Sequence, residues 1–276
     1  MVLKLSLHGG TVGWRPGWPG LARLAAEVGY DGVVLPRDAL AGREPPATPI
    51  RVTAMPVPVE VRRDESTFEA GLPNLEPAVR FGASLGCKIA VVGLPPSSER
   101  PKKEQAQIYL RRLRACVEIF DRYGIRLALE AISPLHLRRA KPYEFIWRTA
   151  EMLDFARLCS PDAGVVADCW HWHHAGETAE DLITLGPDAI LDVHISDAPG
   201  VSAEEIRDME RFLPGEGIID FPCFFGALKA VGYSGNVTVE VFSGRLHNLT
   251  PEEAARSALD AAKAVLARIS GSQPAI

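Results

Sequence analysis

Four short apolar runs, RLALE (residues 126–130), GVVAD (164–168), LDVH (191–194) and TVE (238–240), each end in one side chain able to bind a metal ion. Successive side chains of a strand point to opposite faces, so the parity of each run can be read. Ile125, Leu127 and Leu129 fall on one face and Glu130 on the other. Val165 and Ala167 oppose Asp168, and Leu191, Val193 and Ile195 oppose His194. Val237, Val239 and Val241 oppose Glu240. Each candidate ligand therefore faces away from the aliphatic row that would meet a covering helix. One such coincidence means little, but four in succession predict a barrel whose mouth holds a divalent ion.

Working outward, the chain alternates short apolar runs with longer amphipathic ones, the pattern of βα units around a parallel sheet. Strands are predicted at Lys4 to Leu7, Gly32 to Leu35, Arg51 to Val57 and Lys88 to Val92, ahead of the four runs above. Helices are predicted from about Pro19 to Val28, Asn74 to Leu85, Lys102 to Tyr123, Tyr143 to Cys159, Phe221 to Val231 and Pro251 to Ile269. Thr178 caps a short helix before the His194 run, while Ser202 with Glu205 and Thr250 with Glu253 have capping-box spacing. The segment PRDALAGREPPATP (36–49) is proline-rich and lacks periodicity, so the second helix is expected to be abbreviated. The expected fold is a single α/β domain over residues 1–270, a (β/α)8 TIM barrel with an abbreviated second βα unit, followed by a flexible tail over 271–276. A length of 276 residues suits one such barrel.

Composition excludes several function classes. A formal charge of −5 argues against gripping a phosphate backbone, so no nucleic-acid partner is expected. Arg111, Arg112 and Arg114 read as a solvated helix face. No apolar run approaches the length of a membrane span, and the opening MVLKLSLHGG is broken too early to be a signal peptide. Five cysteines without a CxxC pair suggest reduced thiols and a cytoplasmic protein, with a homo-oligomer left open.

Barrel active sites lie at the C-terminal ends of the strands, where Glu130, Asp168, His194 and Glu240 are expected. Three carboxylates and one imidazole suit one divalent ion, Mn²⁺ first, with Mg²⁺, Co²⁺ or Zn²⁺ as alternatives. Without a cation the three acids would raise one another's pKa. His171 in DCWHWHHAG and Asp197 in HISDAP extend the candidate site. Trp170 would either wall a sugar pocket or sit in the core. Arg211, before a Gly-rich turn, would either hold a substrate oxygen or pair at the surface with Glu210 or Glu216.

The stretches GIRLALE, DCWHWHHAG, VHISDAPG and LPGEGIIDFPCFFGALKAVGYSGNVTVEVF resemble the sugar phosphate isomerase/epimerase family of xylose isomerase-like TIM barrels. That family also includes ketose 3-epimerases, inosose dehydratases and endonuclease IV. The resemblance implies that Glu130, Asp168, His194 and Glu240 are metal ligands, that His171 contacts substrate, and that Arg211 binds it. Endonuclease IV adds an Asp-x-His pair before its Gly-x-Gly turn, where this chain has Met209 and Arg211. The fourth strand of this chain also ends in VVGLPP, without the histidine expected of a trinuclear site, which leaves one metal and argues against DNA repair. The activity implied is isomerisation or epimerisation of a ketose or related keto compound, with a carbohydrate or keto-cyclitol as small-molecule partner. Glu130 and Glu240 would act as acid and base, and His171 would steady the enediolate. The alternatives are a lyase on the same scaffold (an inosose or 3-dehydroshikimate dehydratase, or an enzyme cleaving a 3-keto-glycoside) and a non-catalytic accessory barrel.

Overall fold

The computed structural model describes residues 3–41 and 48–271. Eight parallel strands close into a barrel in chain order: β1 (Lys4–Leu7), β2 (Gly32–Val34), β3 (Arg51–Pro56), β4 (Ile89–Leu94), β5 (Arg126–Ala131), β6 (Gly164–Asp168), β7 (Ile190–Ile195) and β8 (Asn236–Val239), which pairs back onto β1. The connections carry helices α1 (Gly20–Val28), α2 (Leu75–Ser84), α3 (Lys102–Arg122), α4 (Thr149–Cys159), α5 (Ala179–Ile183) and α6 (Phe221–Val231), and α7 (Pro251–Gly271) closes the ring. A one-turn 3₁₀ helix, Arg37–Ala41, stands where the second covering helix would be, as the proline-rich segment predicts. Residues 42–47 of that segment lie outside the described residues.

The aliphatic rows do what their parity implies. Leu5, Leu7, Val165, Val193, Val237 and Val239 are buried in one large core between sheet and helices. In α7, the buried Ala254, Ala255, Ala258 and Ala262 allow close packing, and this helix lies against α1. Inside the barrel a small apolar floor forms from Ala128, Val166 and Leu191, with Ile89 and Val91. Leu191 corrects the sequence reading. Register between β6 and β7 jumps there, Val165 pairing Ile190 and Val166 pairing Asp192. Leu191 is the extra residue, and it packs inside with Ala128 instead of joining Val193 in the outer row.

Three other expectations shift. Tyr143–Glu144 does not begin a helix but pairs antiparallel with Ser97–Ser98, and α4 starts only at Thr149. The start is fixed from a distance: the buried Glu177 carboxylate accepts from the Thr149 N–H at 2.6 Å and its hydroxyl at 2.7 Å. Ser202 and Glu205 make capping-box contacts, but only a turn follows. The closing helix continues through Gly271, one residue into the expected tail, and residues 272–276 lie outside the described residues. All five cysteines are free. Among the described residues no helix is long and apolar enough to cross a membrane.

Candidate metal centre and active site

Register brings the four candidate ligands together. Asp168 and His194 are direct partners across β6 and β7, and His194 is opposite Thr238, two residues before Glu240. Glu130 is opposite Gly93, where an added Cβ would lie 3.0 Å from the Glu130 carboxylate, so glycine at that point of β4 leaves the carboxylate its space. One ligand atom from each of Glu130, Asp168, His194 and Glu240 falls within 4.8 Å of all the others, and all four residues are buried. The Glu130 Oε1 and His194 Nδ1 atoms face each other at 3.3 Å, yet neither has a hydrogen-bond partner. Two buried ligand atoms without a hydrogen bond, side by side in a mainly oxygen set, fit a divalent cation.

Burial and neighbouring charges set the protonation preferences of the cluster. Burial raises the Glu130 pKa, with His194 opposing. Burial likewise raises Asp168 against the pull of Arg211. Burial also works against ionised Glu240, but His8, His194 and Arg211 outweigh it and hold this carboxyl well below its ordinary value. For His194 burial disfavours the cation, yet Glu240, Asp192 and Glu130 together lift it well above the usual imidazole range.

Beneath the centre lies a buried polar network that the sequence reading missed. Asp192 sits 3.5 Å from His194 Nε2, the ring nitrogen away from the ligand cluster. Thr238 donates to Asp192 at 3.1 Å and Asn236 at 3.3 Å, while Ser6 donates to Asn236 at 2.6 Å. Asp192 thereby orients the imidazole so that Nδ1 faces the cluster. His8 was also missed. It follows β1 directly, and its Nδ1 lies 3.2 Å from Glu240 Oε1. The parity test would have found both residues, because His8 opposes Leu5 and Leu7, and Asp192 shares a face with His194.

His171 is buried at the same mouth. Its Nδ1 accepts the Ser133 N–H at 3.3 Å, so the proton sits on Nε2. That atom has no hydrogen-bond partner and lies 3.9 Å from Asp168, and burial keeps the ring neutral by lowering its pKa. His173 and His174 follow on the same short helix, and burial pushes the His174 pKa down to about 3.

Arg211 does not pair at the surface. It is 2% exposed, and its Nη1 lies 3.1 Å from both Asp168 and Glu240, while Nη2 meets Asp208 at 2.9 Å. Glu216, a partner considered for it, pairs instead with Arg245. Asp197 is committed to the backbone, and Trp170 takes the core position of its two expected ones. The Asp197 carboxylate accepts four backbone N–H groups, from Ala198, Gly215, Gly217 and Ile219, at 2.8 to 2.9 Å. Its lone pairs are committed to the Gly-x-Gly turn, and it anchors that loop. Trp170 is fully buried and lines neither cavity at the mouth; its ring lies 5.3 Å from the Arg211 guanidinium, which it backs.

Two cavities open at the centre and share Arg62, Gly93, Glu130 and Glu240 as walls. One, of about 550 Å³, includes His8 and His194; the other, of about 690 Å³, includes His171, Asp208 and Arg211.

The fold and site together define the class. The chain belongs to the xylose isomerase-like TIM barrel family, whose model matches residues 22–265. It is 27% identical over 213 residues to an inosose isomerase of Bacillus velezensis, covering 75% of this chain and 72% of that protein. It is 25% identical over 139 residues to a 3-dehydroshikimate dehydratase of Pseudomonas putida, covering 50% of this chain and 21% of that one. Among solved structures, a xylose isomerase domain protein of Alicyclobacillus acidocaldarius superposes with a TM-score of 0.85 at 27% identity, over 98% of this chain and 100% of that one. The IOLI protein, solved with a bound zinc atom, shares the fold with a TM-score of 0.79 at 22% identity, over 97% and 99% of the two chains.

Proposed function

We propose that this protein is a divalent-metal-dependent isomerase or epimerase of a polyhydroxylated keto compound, a ketose or keto-cyclitol. The observation that carries the reading is the convergence of Glu130, Asp168, His194 and Glu240 within 4.8 Å, beside the unpaired Nε2 of His171. The four residues hold the ion; the oxygen-rich set favours Mn²⁺, and Mg²⁺, Co²⁺ and Zn²⁺ fit the same donors. A bound divalent ion supplies Lewis acidity, which polarises a substrate carbonyl and acidifies the neighbouring C–H.

The chain's own groups then move the proton. Glu130 and Glu240 stand on β5 and just beyond β8, and both border the two cavities. One carboxylate removes the proton from the carbon beside the carbonyl, and the other, in its acid form, delivers a proton either to the opposite face of that carbon, which inverts its configuration, or to the former carbonyl carbon while the hydroxyl proton passes between the two oxygens, which moves the carbonyl. His171, with its proton fixed on Nε2, donates to the substrate oxygen on which charge develops. Arg211 favours the ionised forms of Glu240 and Asp168.

β-Elimination on the same scaffold is the second reading, favoured by the dehydratase relative. It begins with the same proton abstraction and ends with loss of a β-hydroxyl. Mn²⁺-loaded protein incubated with ketoses and keto-inositols in D₂O separates the two. Deuterium entering the substrate without loss of water supports isomerisation, whereas a growing enone absorbance supports the lyase. Glu240→Gln is expected to slow exchange by about 10²- to 10⁴-fold; exchange at the parent rate in a metal-loaded variant would overturn the assignment.

A further inference from the structure

The stretch HGGTVGW (residues 8–14) leaves β1 at the barrel mouth and has no part in the proton transfers above. His8 caps a one-turn 3₁₀ helix, Gly9–Val12, and its Nδ1 accepts the Gly10 N–H at 3.2 Å. A ring nitrogen that accepts carries no hydrogen, so the imidazole hydrogen is on Nε2. The ring borders the 550 Å³ cavity, and among the described residues no protein group pairs with Nε2. Glu240 Oε1 lies 3.2 Å from Nδ1 without a hydrogen bond to it, which puts His8 beside the ligand cluster.

The plane of the imidazole is fixed as firmly as its tautomer. Trp14 and Phe242 pack edge-on against it, at 5.0 and 5.9 Å between centroids and at 76° and 79° between planes. Glycine at positions 9 and 10 permits this. An added Cβ at Gly9 would lie 2.8 Å from the Trp14 ring, and one at Gly10 would overlap the Phe242 ring. Trp14 has a left-handed backbone with φ of 59°, the one non-glycine residue at positive φ among those described. Bulky side chains rarely adopt that conformation, and such strain concentrates at functional sites. Thr11 ties the turn to the end of β8: its hydroxyl donates to the Val239 carbonyl at 2.9 Å and accepts the Val241 N–H at 3.0 Å, on either side of Glu240. A cap needs only an acceptor. The two rings and the strained residue fix, in addition, where Nε2 points.

His171 stands in the same relation on the other side. Its Nδ1 accepts the Ser133 N–H, and its Nε2 has no partner and lies 3.9 Å from Asp168. The two imidazoles flank the ligand cluster, His8 beside Glu240 in one cavity and His171 beside Asp168 in the other. Resting on the isomerase reading, we propose that His8 is a second donor to the substrate, its Nε2–H holding an oxygen on the β1 side while His171 serves the oxygen on which charge develops. A polyhydroxylated keto compound bound at the wall that the cavities share meets one fixed N–H from each of them. The pair of donors sets which carbon faces Glu130 and Glu240.

The test uses the full-length protein. His8→Asn keeps an acceptor for the Gly10 N–H and removes the Nε2–H. Loaded with Mn²⁺ in D₂O, this variant is expected to exchange D-fructose and scyllo-inosose with a kcat/KM lower than the parent's by about tenfold, the loss of one hydrogen bond. Its thermal melt should match the parent's, and its Mn²⁺ affinity should fall by less than the about tenfold that a ligand-orienting residue costs. Exchange at the parent's kcat/KM would overturn the proposal. So would a loss of exchange matched by an equal loss of Mn²⁺ affinity, which would make His8 a support for Glu240 alone. A second measurement needs no variant: in Mg²⁺-loaded parent labelled with ¹⁵N-histidine, the Nε2 resonance of His8 should shift when the exchanging compound is added. A His8 resonance that stays in place while that of His171 moves would overturn the proposal and leave the isomerase reading standing. A parent that exchanges neither compound removes both.

Discussion

Arg211 is the residue on which the charge balance of the site turns. Its guanidinium is buried between Asp168, Glu240 and Asp208, so the metal-free cluster has one strong cation of its own. Removing one partner of a buried ion pair costs about 3–5 kcal/mol, because the remaining charge stays desolvated. Metal-free Arg211→Met is therefore expected to melt well below the parent, and Mn²⁺ should raise its melting temperature more than it raises the parent's. An unchanged metal-free melt would contradict this. Asp192 acts more locally, through the His194 ring. Asp192→Asn should weaken Mn²⁺ binding about 10- to 100-fold by titration, the usual effect of losing a group that orients a metal-binding histidine; an unaltered dissociation constant would remove Asp192 from that role. At this scale the sequence was partly legible. Glu130, Asp168, His194 and Glu240 announce themselves because each is a polar residue ending an aliphatic run. The anchoring role of Asp197 was not legible, because proximity in sequence to His194 says nothing of where a side chain points.

At the scale of elements, the loop from Asp208 to Ile219 depends on Asp197. Its carboxylate gathers three backbone N–H groups of the Gly-x-Gly turn, and Gly217 is required because a Cβ would lie 2.1 Å from the Ala198 carbonyl. Asp197→Ala removes the acceptor these donors share and leaves the buried Ile219 N–H without a partner, and it is expected to cost about 1–3 kcal/mol in urea unfolding. Met209→Ala, at a residue 58% exposed on the same loop, should stay within about 0.5 kcal/mol of the parent. Equal losses in the two variants would show that Asp197 is not what holds the loop. The strands were readable because alternation has a period of two and each run stops at a turn. Leu191 was not, because one extra residue in β7 reverses the parity locally, and only cross-strand register reveals it. The false helix at Tyr143 has a similar cause: its pairing partners, Ser97 and Ser98, lie far back in the chain.

For the whole molecule, the barrel followed from the order of βα units, while the shape of its mouth did not. One cavity is lined by β2, β3, β4 and the residues just after β1, the other by α3 and the loops that follow β4 and β5, and the left-handed backbone of Trp14 leaves no mark in composition. Some of the molecule's stability is distributed in surface ion pairs that join these segments. Glu65, which opens a short helix, is held down to about 2, from an ordinary 4.5, by hydrogen bonds from Arg111 and Arg112 of α3. A carboxyl depressed by folding contributes stability above its unfolded pKa and loses it as pH falls through the folded value. The stability gap between the parent and Glu65→Gln should thus be full at about pH 6 and vanish near pH 2 in denaturant titrations. A gap that persists at low pH would mean the pair contributes by packing alone. The account as a whole rests on the cation that Glu130, Asp168, His194 and Glu240 are built to share. Chelator-treated protein titrated with Mn²⁺ should bind one equivalent, and His194→Ala should abolish that binding while the barrel remains folded. No binding by the parent, or the same binding by the variant, would contradict it.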